Sequence, residues 1–468
     1  MTRDLERIFG RGSVLDSPAA RLAYSYDATG MHCEPDCVAF ASGAAEVGRL
    51  LRLANEQGFP VVPRGAGTGY TGGSVPVEGG VVLVTERMRR IVEIDEENLT
   101  VTAEAGVVTG DLHKAVERVG LFYPPDPASM DVCTIGGNVA ECAGGPRAFK
   151  YGVTRNYVLQ LEAVLPTGEL FLAGARTVKS VAGYDLARLL TGSEGTLAVI
   201  TKATLRLIPK PATVETLLCA FADPVAAGRA VAAVVKERIV PCTLELVDGE
   251  CIRCVGGPAR FGLPEGARAL LLVEVDGEPQ AVAAAAAAVR EVCLRCGALE
   301  AKTAGSPEAA EELWQARRSI SPALMQLAPT KINEDIVVPR SAVPEMLARL
   351  AQVSRDRRVL IATFGHVGDG NLHVNIMCDE RDLDELARAT AAVEDVFAAT
   401  LALGGSVSGE HGIGVTKAPF LPREIGEAGI ATMLAVKRAL DPNGVLNPGK
   451  IFVRARPRGG AADDSHSR

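Results

Sequence analysis

The spacing of hydrophobic and polar residues changes near residue 212 and divides the chain into two parts. In residues 40–210, short apolar runs rich in β-branched residues are separated by glycine and proline, which is typical of strands joined by turns. The segment "YVLQLEAVLPTGEL" predicts a hairpin, and "TGDLHKAVERVG" predicts an amphipathic helix that ends at Gly120. The first part is therefore predicted to be mainly strand, with a few helices.

The second part alternates long helices with strands. Alanine-rich segments at 224–238 and 280–296 have high helix propensity, and the apolar run "ALLLVEV" between them predicts a buried strand. This pattern predicts an α+β domain built on an antiparallel sheet. A further helix is predicted near 427–440, before the segment "DPNGVLNPGKIF".

These patterns predict four segments along the chain. They are a first domain at 1–210, a second domain at 211–405, a C-terminal segment at 406–453 and a disordered tail at 454–468. The tail is rich in Arg, Pro, Gly and Ser, and such a composition cannot bury enough apolar surface to fold.

Composition and charge exclude several classes of protein. The 468 residues are 47% hydrophobic and 23% charged, which is ordinary for a globular enzyme. A net charge of −8 argues against nucleic-acid binding, which needs a basic surface. The N-terminus lacks the basic and apolar regions of a secretory signal, and no apolar run reaches the length of a transmembrane segment. We therefore predict a cytoplasmic protein with free thiols.

Four of the eleven cysteines form two C-x-x-C pairs, Cys251 with Cys254 and Cys293 with Cys296. Two such pairs can form a zinc ribbon, but 38 residues separate Cys254 from Cys293, which is more than the usual gap. The alternative is that these thiols are small buried hydrophobic residues, and we favour it.

The densest glycine cluster lies in "VVPRGAGTGYTGGSVPVEGGVVLV". Residues 67–72 match G-x-G-x-x-G, but a strand follows where a Rossmann site needs a helix. The Walker spacing also fails, because Gly73 stands where the lysine must be. Consecutive backbone N–H groups in such a loop can still hold a diphosphate. Two more glycine-rich stretches, at 124–152 and 179–200, suggest that one dinucleotide lies along all three; the alternative is a surface loop without a ligand.

Two histidines flank a turn in "ATFGHVGDGNLHVNIM". With Asp369 and Gly370 at the centre of a two-residue turn, His366 pairs with His373 and Phe364 pairs with Asn375. All four side chains then share one face, and the two imidazoles can converge on one divalent ion. "SGEHGIG" adds Glu410 and His411 in a glycine-rich setting that could supply a carboxylate ligand. The alternative is that both histidines are half-buried polar residues.

Together these motifs resemble the vanillyl-alcohol oxidase/p-cresol methylhydroxylase superfamily, and in particular its FAD-linked D-2-hydroxyacid dehydrogenases, over about residues 20–453. The resemblance implies an α+β fold: a two-subdomain FAD-binding domain of the p-cresol methylhydroxylase (PCMH) type, an antiparallel-sheet substrate (cap) domain, and a short C-terminal helical segment that returns to the flavin. The FAD-binding residues that it implies are Gly65, Ala66, Gly67, Thr68, Gly69, Ser74, Pro125, Asp126, Thr134, Gly136, Gly137, Asn138, Gly144, Gly145, Gly152, Glu194, Gly195, Ile200 and Asn447.

Two departures refine this expectation. Relatives with covalent flavin carry a histidine in the first loop, and this loop has none, so FAD is expected to bind without a covalent bond. Cys142 stands where many relatives have asparagine, which leaves the local polar contact open.

The resemblance also implies an active site in the second half of the chain. His366, His373 and Glu410 would bind a divalent metal, zinc or manganese. His411 would take the hydroxyl proton, and Asn375 would face the substrate. The substrate carboxylate would contact Arg317 and Lys331, and Ser321, which stands where some relatives have threonine, would belong to the same active site. For the arginine pair at 317–318, a solvated helix face is the alternative.

The predicted function is FAD-dependent oxidation of a small D-2-hydroxy acid, glycolate or D-lactate, to the 2-oxo acid by hydride transfer to the flavin. The electrons would pass to an iron–sulfur subunit, an electron-transferring flavoprotein or a quinone, and a partner could hold the protein at the inner face of the membrane. The oligomeric state stays open, a homodimer included. The alternatives are a non-redox flavoenzyme of the same superfamily and a non-catalytic, metal-stabilised subunit of an oxidase complex.

Overall fold

The computed structural model describes residues 1–453, and the predicted disordered tail at 454–468 lies outside them. The strands are β1 Val14–Leu15, β2 Cys37–Phe40, β3 Val61–Arg64, β4 Val81–Val84, β5 Ile91–Asp95, β6 Thr100–Glu104, β7 Leu121–Phe122, β8 Val158–Val164, β9 Leu170–Gly174, β10 Val199–Arg206, β11 Ile208–Pro209, β12 Thr213–Phe221, β13 Thr243–Asp248, β14 Ala269–Gly277, β15 Ala298–Thr303, β16 Thr330–Val337, β17 Leu360–Gly365 and β18 Asn371–Cys378. The helices are α1 Thr2–Phe9, α2 Pro18–Ala23, α3 Ala44–Gln57, α4 Thr109–Glu117, α5 Ile135–Glu141, α6 Ala148–Tyr151, α7 Leu186–Leu190, α8 Pro224–Lys236, α9 Gly249–Cys254, α10 Pro279–Arg295, α11 Pro307–Arg318, α12 Ile320–Ala323, α13 Val343–Arg357, α14 Leu383–Ala402 and α15 Leu421–Leu440.

The first half of the chain contains two main sheets. One has the order β1-β2-β4-β3, and its central strand β4 runs parallel to both β2 and β3. The other has the order β5-β6-β10-β8-β9, and all of its neighbours are antiparallel. The predicted β8–β9 hairpin and the helix α4 are confirmed. Each sheet contributes to a separate hydrophobic core, so this half consists of two packed units.

A seven-stranded sheet organises the second half, in the order β15-β12-β14-β13-β17-β18-β16. Every neighbouring pair is antiparallel, which confirms the sheet type predicted from the sequence. Helices α8, α10, α13 and α14 cover one side of this sheet, and their apolar residues form the largest core with it. The predicted helices at 224–238 and 280–296 correspond to α8 and α10.

The hairpin β17–β18 carries the two histidines, but its predicted register is wrong. Phe364 pairs with His373 and Ala362 pairs with Asn375, a shift of two residues from the prediction. The reason is the connection, which has five residues, His366 to Gly370, instead of two. Its backbone is closed by the N–H of Asn371, which donates to the carbonyl of His366 at 3.2 Å.

After α15, the last described residues return to the first half of the chain. Leu446 forms a parallel bridge with Val61, and the ammonium of Lys450 donates to the carbonyl of Val75 at 2.7 Å. Helix α15 is longer than the segment predicted at 427–440 and is broken at Gly426. Within residues 1–453, no helix combines the length and the apolar character that a membrane crossing needs.

Candidate functional site

A cavity of about 450 Å³ lies where the three glycine-rich stretches meet. The first loop connects the parallel strands β3 and β4, α5 brings the second stretch, and residues 193–200 bring the third. The predicted FAD-binding residues on its wall are Gly65, Ala66, Gly67, Thr68, Gly69, Ser74, Thr134, Gly136, Gly137, Asn138, Glu194, Gly195 and Ile200. The structure therefore brings most of the predicted cofactor residues together around one space.

Two glycines of this wall are required by local geometry. Gly67 has a φ of +71°, and a Cβ there would lie 2.0 Å from the guanidinium of Arg64. A Cβ on Gly136 would lie 2.6 Å from the Cβ of Ala105, the residue that follows β6. Helix α5 can therefore pack against the end of β6 only with glycine at this position. These glycines let backbone, rather than side chains, face the cavity.

Other wall residues were not predicted from the sequence. They are Pro63, Arg64, Tyr70, Gly73, Thr85, Pro127, Ala128, Ser129, Cys133, Ala140, Glu141, Ala143, Ala198, Val199, Arg318, Pro322 and Met325. Most of them are neighbours of predicted residues in the same three stretches, so the stretches themselves were the signal.

Six predicted cofactor residues do not lie on the cavity wall, namely Pro125, Asp126, Gly144, Gly145, Gly152 and Asn447. The carbonyl of Pro125 accepts a hydrogen bond from His113 at 2.9 Å. The carboxylate of Asp126 accepts from the backbone N–H of Arg147 at 3.1 Å. Gly145 and Gly152 pack tightly on neighbouring side chains. Pro125, Asp126, Gly145 and Gly152 therefore support the second stretch without lining the cavity.

Asn447 holds two of the glycine-rich stretches together. Its amide donates to the carbonyl of Gly73 at 3.0 Å and to that of Glu194 at 2.8 Å. The C-terminal segment therefore returns to the cofactor cavity as predicted, but it supports the wall instead of lining it.

Two buried carboxyl groups of the wall lie close together. A Cβ on Gly412 would lie 2.6 Å from Glu141 Oε2 and 3.0 Å from Glu194 Oε1, so both oxygens crowd the same point. Glu194 accepts from the backbone N–H groups of Ile413 and Gly414, each at 2.7 Å, whereas Glu141 Oε2 has no hydrogen-bond partner. Burial and the neighbouring Glu194 raise the pKa of Glu141 well above its usual value.

Three side chains from two loops and one strand converge at one end of this cavity. His366 Nε2 and His373 Nε2 lie 3.4 Å apart, and Glu410 Oε1 lies 3.4 Å from the first and 3.5 Å from the second. Despite the shifted register, the five-residue connection returns His366 to the side of β18 that carries His373. The predicted group of three is therefore assembled with its ligand atoms facing one point.

Each histidine has a buried carboxylate beside its Nδ1 atom that the sequence did not reveal. His366 Nδ1 contacts Glu245 on β13, and His373 Nδ1 lies 3.7 Å from Asp335 on β16. The contact with Glu245 occupies the Nδ1 side of His366, whereas His373 Nδ1 has no hydrogen-bond partner among the described residues, and both Nε2 atoms lie within 3.5 Å of Glu410. Such carboxylate–histidine pairs are typical of metal centres.

Asp335 also fixes the loop that carries Glu410 and His411. Its Oδ2 accepts the backbone N–H groups of residues 409, 410 and 411 at 2.8, 2.8 and 3.0 Å. Burial alone would raise the pKa of this carboxyl, but the neighbouring His411 and the ammonium of Lys417 hold it well below the usual range. Asp335 is therefore an anion on which the loop is built.

The charges of the three ligand side chains depend on their neighbours. Burial alone would lower the pKa of His366, but the carboxylates of Glu245 and Glu410 raise it well above its usual value. Burial and the adjacent His366 lower the pKa of His373 to about 3. The pKa of His411 is also lowered, chiefly by burial. His373 and His411 are therefore neutral imidazoles at pH 7, with lone pairs available.

Two residues expected at the substrate are committed elsewhere. Arg317 is buried and donates twice to Glu245 Oε2, at 3.0 and 2.6 Å, so it lies behind His366 and not on the cavity wall. The amide of Asn375 donates to the carbonyls of Ala362 and His373 and accepts from the Asn333 side chain. Both side chains therefore stabilise the sheet beneath the site.

The other predicted carboxylate contacts do reach the cavity. Lys331 and Ser321 both line it, and the ammonium donates to the serine hydroxyl at 2.8 Å. Among the described residues, no carboxylate lies within 4.0 Å of this ammonium. Arg318, which the sequence did not favour over its neighbour, also lines the wall, although its guanidinium contacts Glu311.

Glu410 and His411 line the same cavity as the glycine-rich loops. A group held by those loops and a small molecule bound near His411 would therefore meet in one space.

Two family models match the chain. One, described as "FAD linked oxidases, C-terminal domain", covers residues 210–451, and the other, "FAD binding domain", covers residues 35–174. The chain belongs to the FAD-linked oxidase family. As a member of this family it is an FAD-linked oxidoreductase, so the predictions of the family, the enzyme class and FAD are confirmed.

Relatives of this FAD-linked oxidase cover almost its whole length. The glycolate oxidase subunit GlcD of Bacillus subtilis (strain 168) is 44% identical over 464 residues, which are 98% of this chain and 99% of the relative. A D-lactate dehydrogenase of Anaerostipes hadrus is 36% identical over 428 residues, 90% of each chain. A solved p-cresol methylhydroxylase is 18% identical to this chain, with a TM-score of 0.81. The match covers 97% of this chain and 96% of the methylhydroxylase chain. This last likeness shows the fold and confirms the predicted α+β, PCMH-type architecture.

Proposed function

We propose that this FAD-linked oxidase oxidises a small D-2-hydroxy acid, glycolate or D-lactate, to the 2-oxo acid, with a divalent metal at His366, His373 and Glu410. The observation that carries the proposal is that Glu410 and His411 share one cavity with the glycine-rich FAD loops. The two relatives, a glycolate oxidase subunit and a D-lactate dehydrogenase, bear names that agree with this substrate class.

The residues of the cavity fit FAD. The first loop offers exposed backbone at Gly65 to Gly69, where Gly67 has the positive φ that such a turn requires. Thr134, Gly137 and Asn138 would extend the contact along α5. The first glycine-rich loop contributes no histidine to this wall, and His411, the histidine that lines it, comes from the 408–412 loop, so we propose FAD held without a covalent bond.

The donor set also fits a divalent metal, and its dimensions favour zinc. Tetrahedral ligands at about 2.0–2.1 Å from an ion are separated from one another by about 3.3–3.4 Å. Octahedral ligands at the same bond length would be only about 2.9 Å apart. The three observed separations are 3.4, 3.4 and 3.5 Å. Two imidazoles and one carboxylate leave a coordination position open for substrate.

When bound, FAD supplies a hydride acceptor for C2 of the substrate, and the metal supplies Lewis acidity that favours loss of the hydroxyl proton. The side chains hold the substrate in position and take up its hydroxyl proton. Lys331, held by Ser321, binds the substrate carboxylate, since none of the described carboxylates lies within 4.0 Å of its ammonium. His411, a neutral imidazole on the cavity wall, accepts the hydroxyl proton at a ring nitrogen.

Anaerobic flavin reduction tests this proposal. The purified protein is mixed with D- and L-enantiomers of small 2-hydroxy acids, with and without a chelator, and the oxidised flavin absorbance is followed. We expect bleaching by glycolate or D-lactate that the chelator suppresses and added zinc restores. His373→Ala removes a ligand and should abolish the bleaching, whereas His32→Ala, outside the cavity, should not.

The outcomes separate the proposal from its alternatives. No bleaching by any hydroxy acid would favour a non-redox flavoenzyme. Unchanged turnover of His373→Ala together with lost assembly would favour a non-catalytic, metal-stabilised subunit. The proposed reaction also needs an electron acceptor, an iron–sulfur subunit, an electron-transferring flavoprotein or a quinone, and stopped-flow reoxidation with each class would identify it.

A further inference from the structure

Tyr70 belongs to the first glycine-rich loop but faces the residues of the second half of the chain. Its ring stacks on the imidazole of His411, with centroids 5.0 Å apart and an interplanar angle of 24°. The ammonium of Lys331 lies 5.6 Å from the centroid of the same ring. One aromatic side chain therefore contacts both the group assigned to the substrate hydroxyl and the group assigned to its carboxylate.

The backbone on both sides of Tyr70 is fixed. The carbonyl of Gly69 accepts from Ala28 at 3.0 Å, and the carbonyl of Thr71 accepts from Val415 at 2.7 Å. The Thr71 hydroxyl also donates to the carbonyl of His411 at 3.2 Å. These contacts fix the backbone that carries Tyr70 beside the 408–412 loop, so the ring starts from a defined position on the wall.

The ring nitrogens of His411 do not hydrogen-bond to the carboxylates nearest to them. Its Nδ1 lies 4.0 Å from Asp335 and its Nε2 lies 4.0 Å from Glu410, beyond hydrogen-bond distance in both cases. The imidazole is instead held between two rings, since His373 also stacks on it with a centroid distance of 5.3 Å and an angle of 13°. Tyr70 is the half of this stack that lies on the cofactor loop.

We propose that Tyr70 is the residue that limits the size of the 2-hydroxy acid, because its ring lines the cavity against both Lys331 and His411, the groups assigned to the carboxylate and the hydroxyl on either side of C2. This inference rests on the proposed function and adds the residue that sets its specificity. The ring also positions His411 for proton transfer. The phenol oxygen is not needed for either role, since both contacts are made by the ring.

The test uses the holoenzyme and three substitutions of different size. Rates and dissociation constants for anaerobic flavin reduction are measured with glycolate, D-lactate and D-2-hydroxy acids with longer side chains. Tyr70→Phe keeps the ring, and we expect its values within about threefold of the wild type. Tyr70→Leu removes the ring, and the preference for longer acids over glycolate should rise by about tenfold or more.

Tyr70→Trp enlarges the ring and should change the preference in the opposite direction, towards glycolate. Each variant is checked for its flavin content and its Tm, so that a folding defect is recognised; if Tyr70→Leu does not fold, the Trp and Phe variants decide. Uniform loss for all acids, with an unchanged order of preference in the Leu and Trp variants, would overturn the proposal. A wild type that no hydroxy acid reduces would instead remove the proposed function, and this inference with it.

Discussion

The replacement Asp335→Asn removes the anion on which the 408–412 loop is built. Three backbone N–H groups donate to one oxygen of Asp335, and the other oxygen accepts from Asn371 at 2.6 Å. A hydrogen bond to a charged acceptor contributes about 1 kcal/mol more than one to a neutral acceptor, so the three bonds alone amount to about 3 kcal/mol. In the wild type the buried ammonium of Lys417 lies 3.9 Å from Asp335 Oδ2, and the variant removes this negative charge. We expect a loss of about 3–5 kcal/mol in the free energy of unfolding.

The only tryptophan of the chain makes this loss measurable in the right part of the molecule. Trp314 lies on α11, and its indole N–H donates to Glu274 on β14, the same sheet that contains Asp335. Urea unfolding of the apoprotein followed by Trp314 fluorescence therefore reports on that sheet. Asp369→Asn is the control, because its carboxylate accepts only the backbone N–H of Asn371, and we expect a loss of about 1 kcal/mol or less. Equal midpoints for the two variants would refute the reasoning about Asp335.

Three further outcomes follow from the same contacts. Glu245→Gln should weaken zinc binding about 10–100-fold, because His366 loses the carboxylate that orients it; competition with a chromophoric chelator measures this, and unchanged affinity would contradict it. Gly412→Ala should lower the Tm far more than Gly404→Ala, since both glycines have positive φ but only the first would place its Cβ 2.6 Å from Glu141; similar shifts would mean that the crowding is relieved. Glu141→Gln should make the free energy of unfolding of the apoprotein depend less on pH. In the wild type, the folded chain keeps a proton on Glu141 that the unfolded chain releases above a pKa near 4.5, so the stability falls as the pH rises. This weaker dependence, a change of at most about 1.4 kcal/mol per pH unit, is read from thermal unfolding at several pH values, and parallel curves would argue against the raised pKa.

The parts of the site that could be predicted from the sequence are those in which neighbouring residues act together. The glycine-rich loop at Gly65–Gly69 and the pair Glu410–His411 carry their chemistry within a few positions, so their spacing reveals it. The assembly of His366 with His373 was also anticipated, although for an incorrect reason. The short turn that would pair them does not form, and the longer connection brings them together instead.

The partners that come from distant strands could not be predicted. Glu245 lies 72 residues before Arg317, and the pair forms only because β13 and α11 meet in the fold. That pair keeps Arg317 away from the cavity, while Arg318 lies on the cavity wall. The helical pattern of α11 does not tell which of two consecutive arginines will meet a buried carboxylate, because that depends on the packing of the whole sheet.

The return of the C-terminal segment has a consequence for the order in which the protein matures. Asn447 joins two glycine-rich stretches, and Lys450 and Ile451 bond to Val75 and Gly414. During synthesis the first of those stretches emerges almost 400 residues before Asn447 does. A nascent chain can therefore fold its early strands, but it cannot close the cofactor cavity until its final segment has left the ribosome. We therefore expect flavin loading to be a late event in the maturation of the chain.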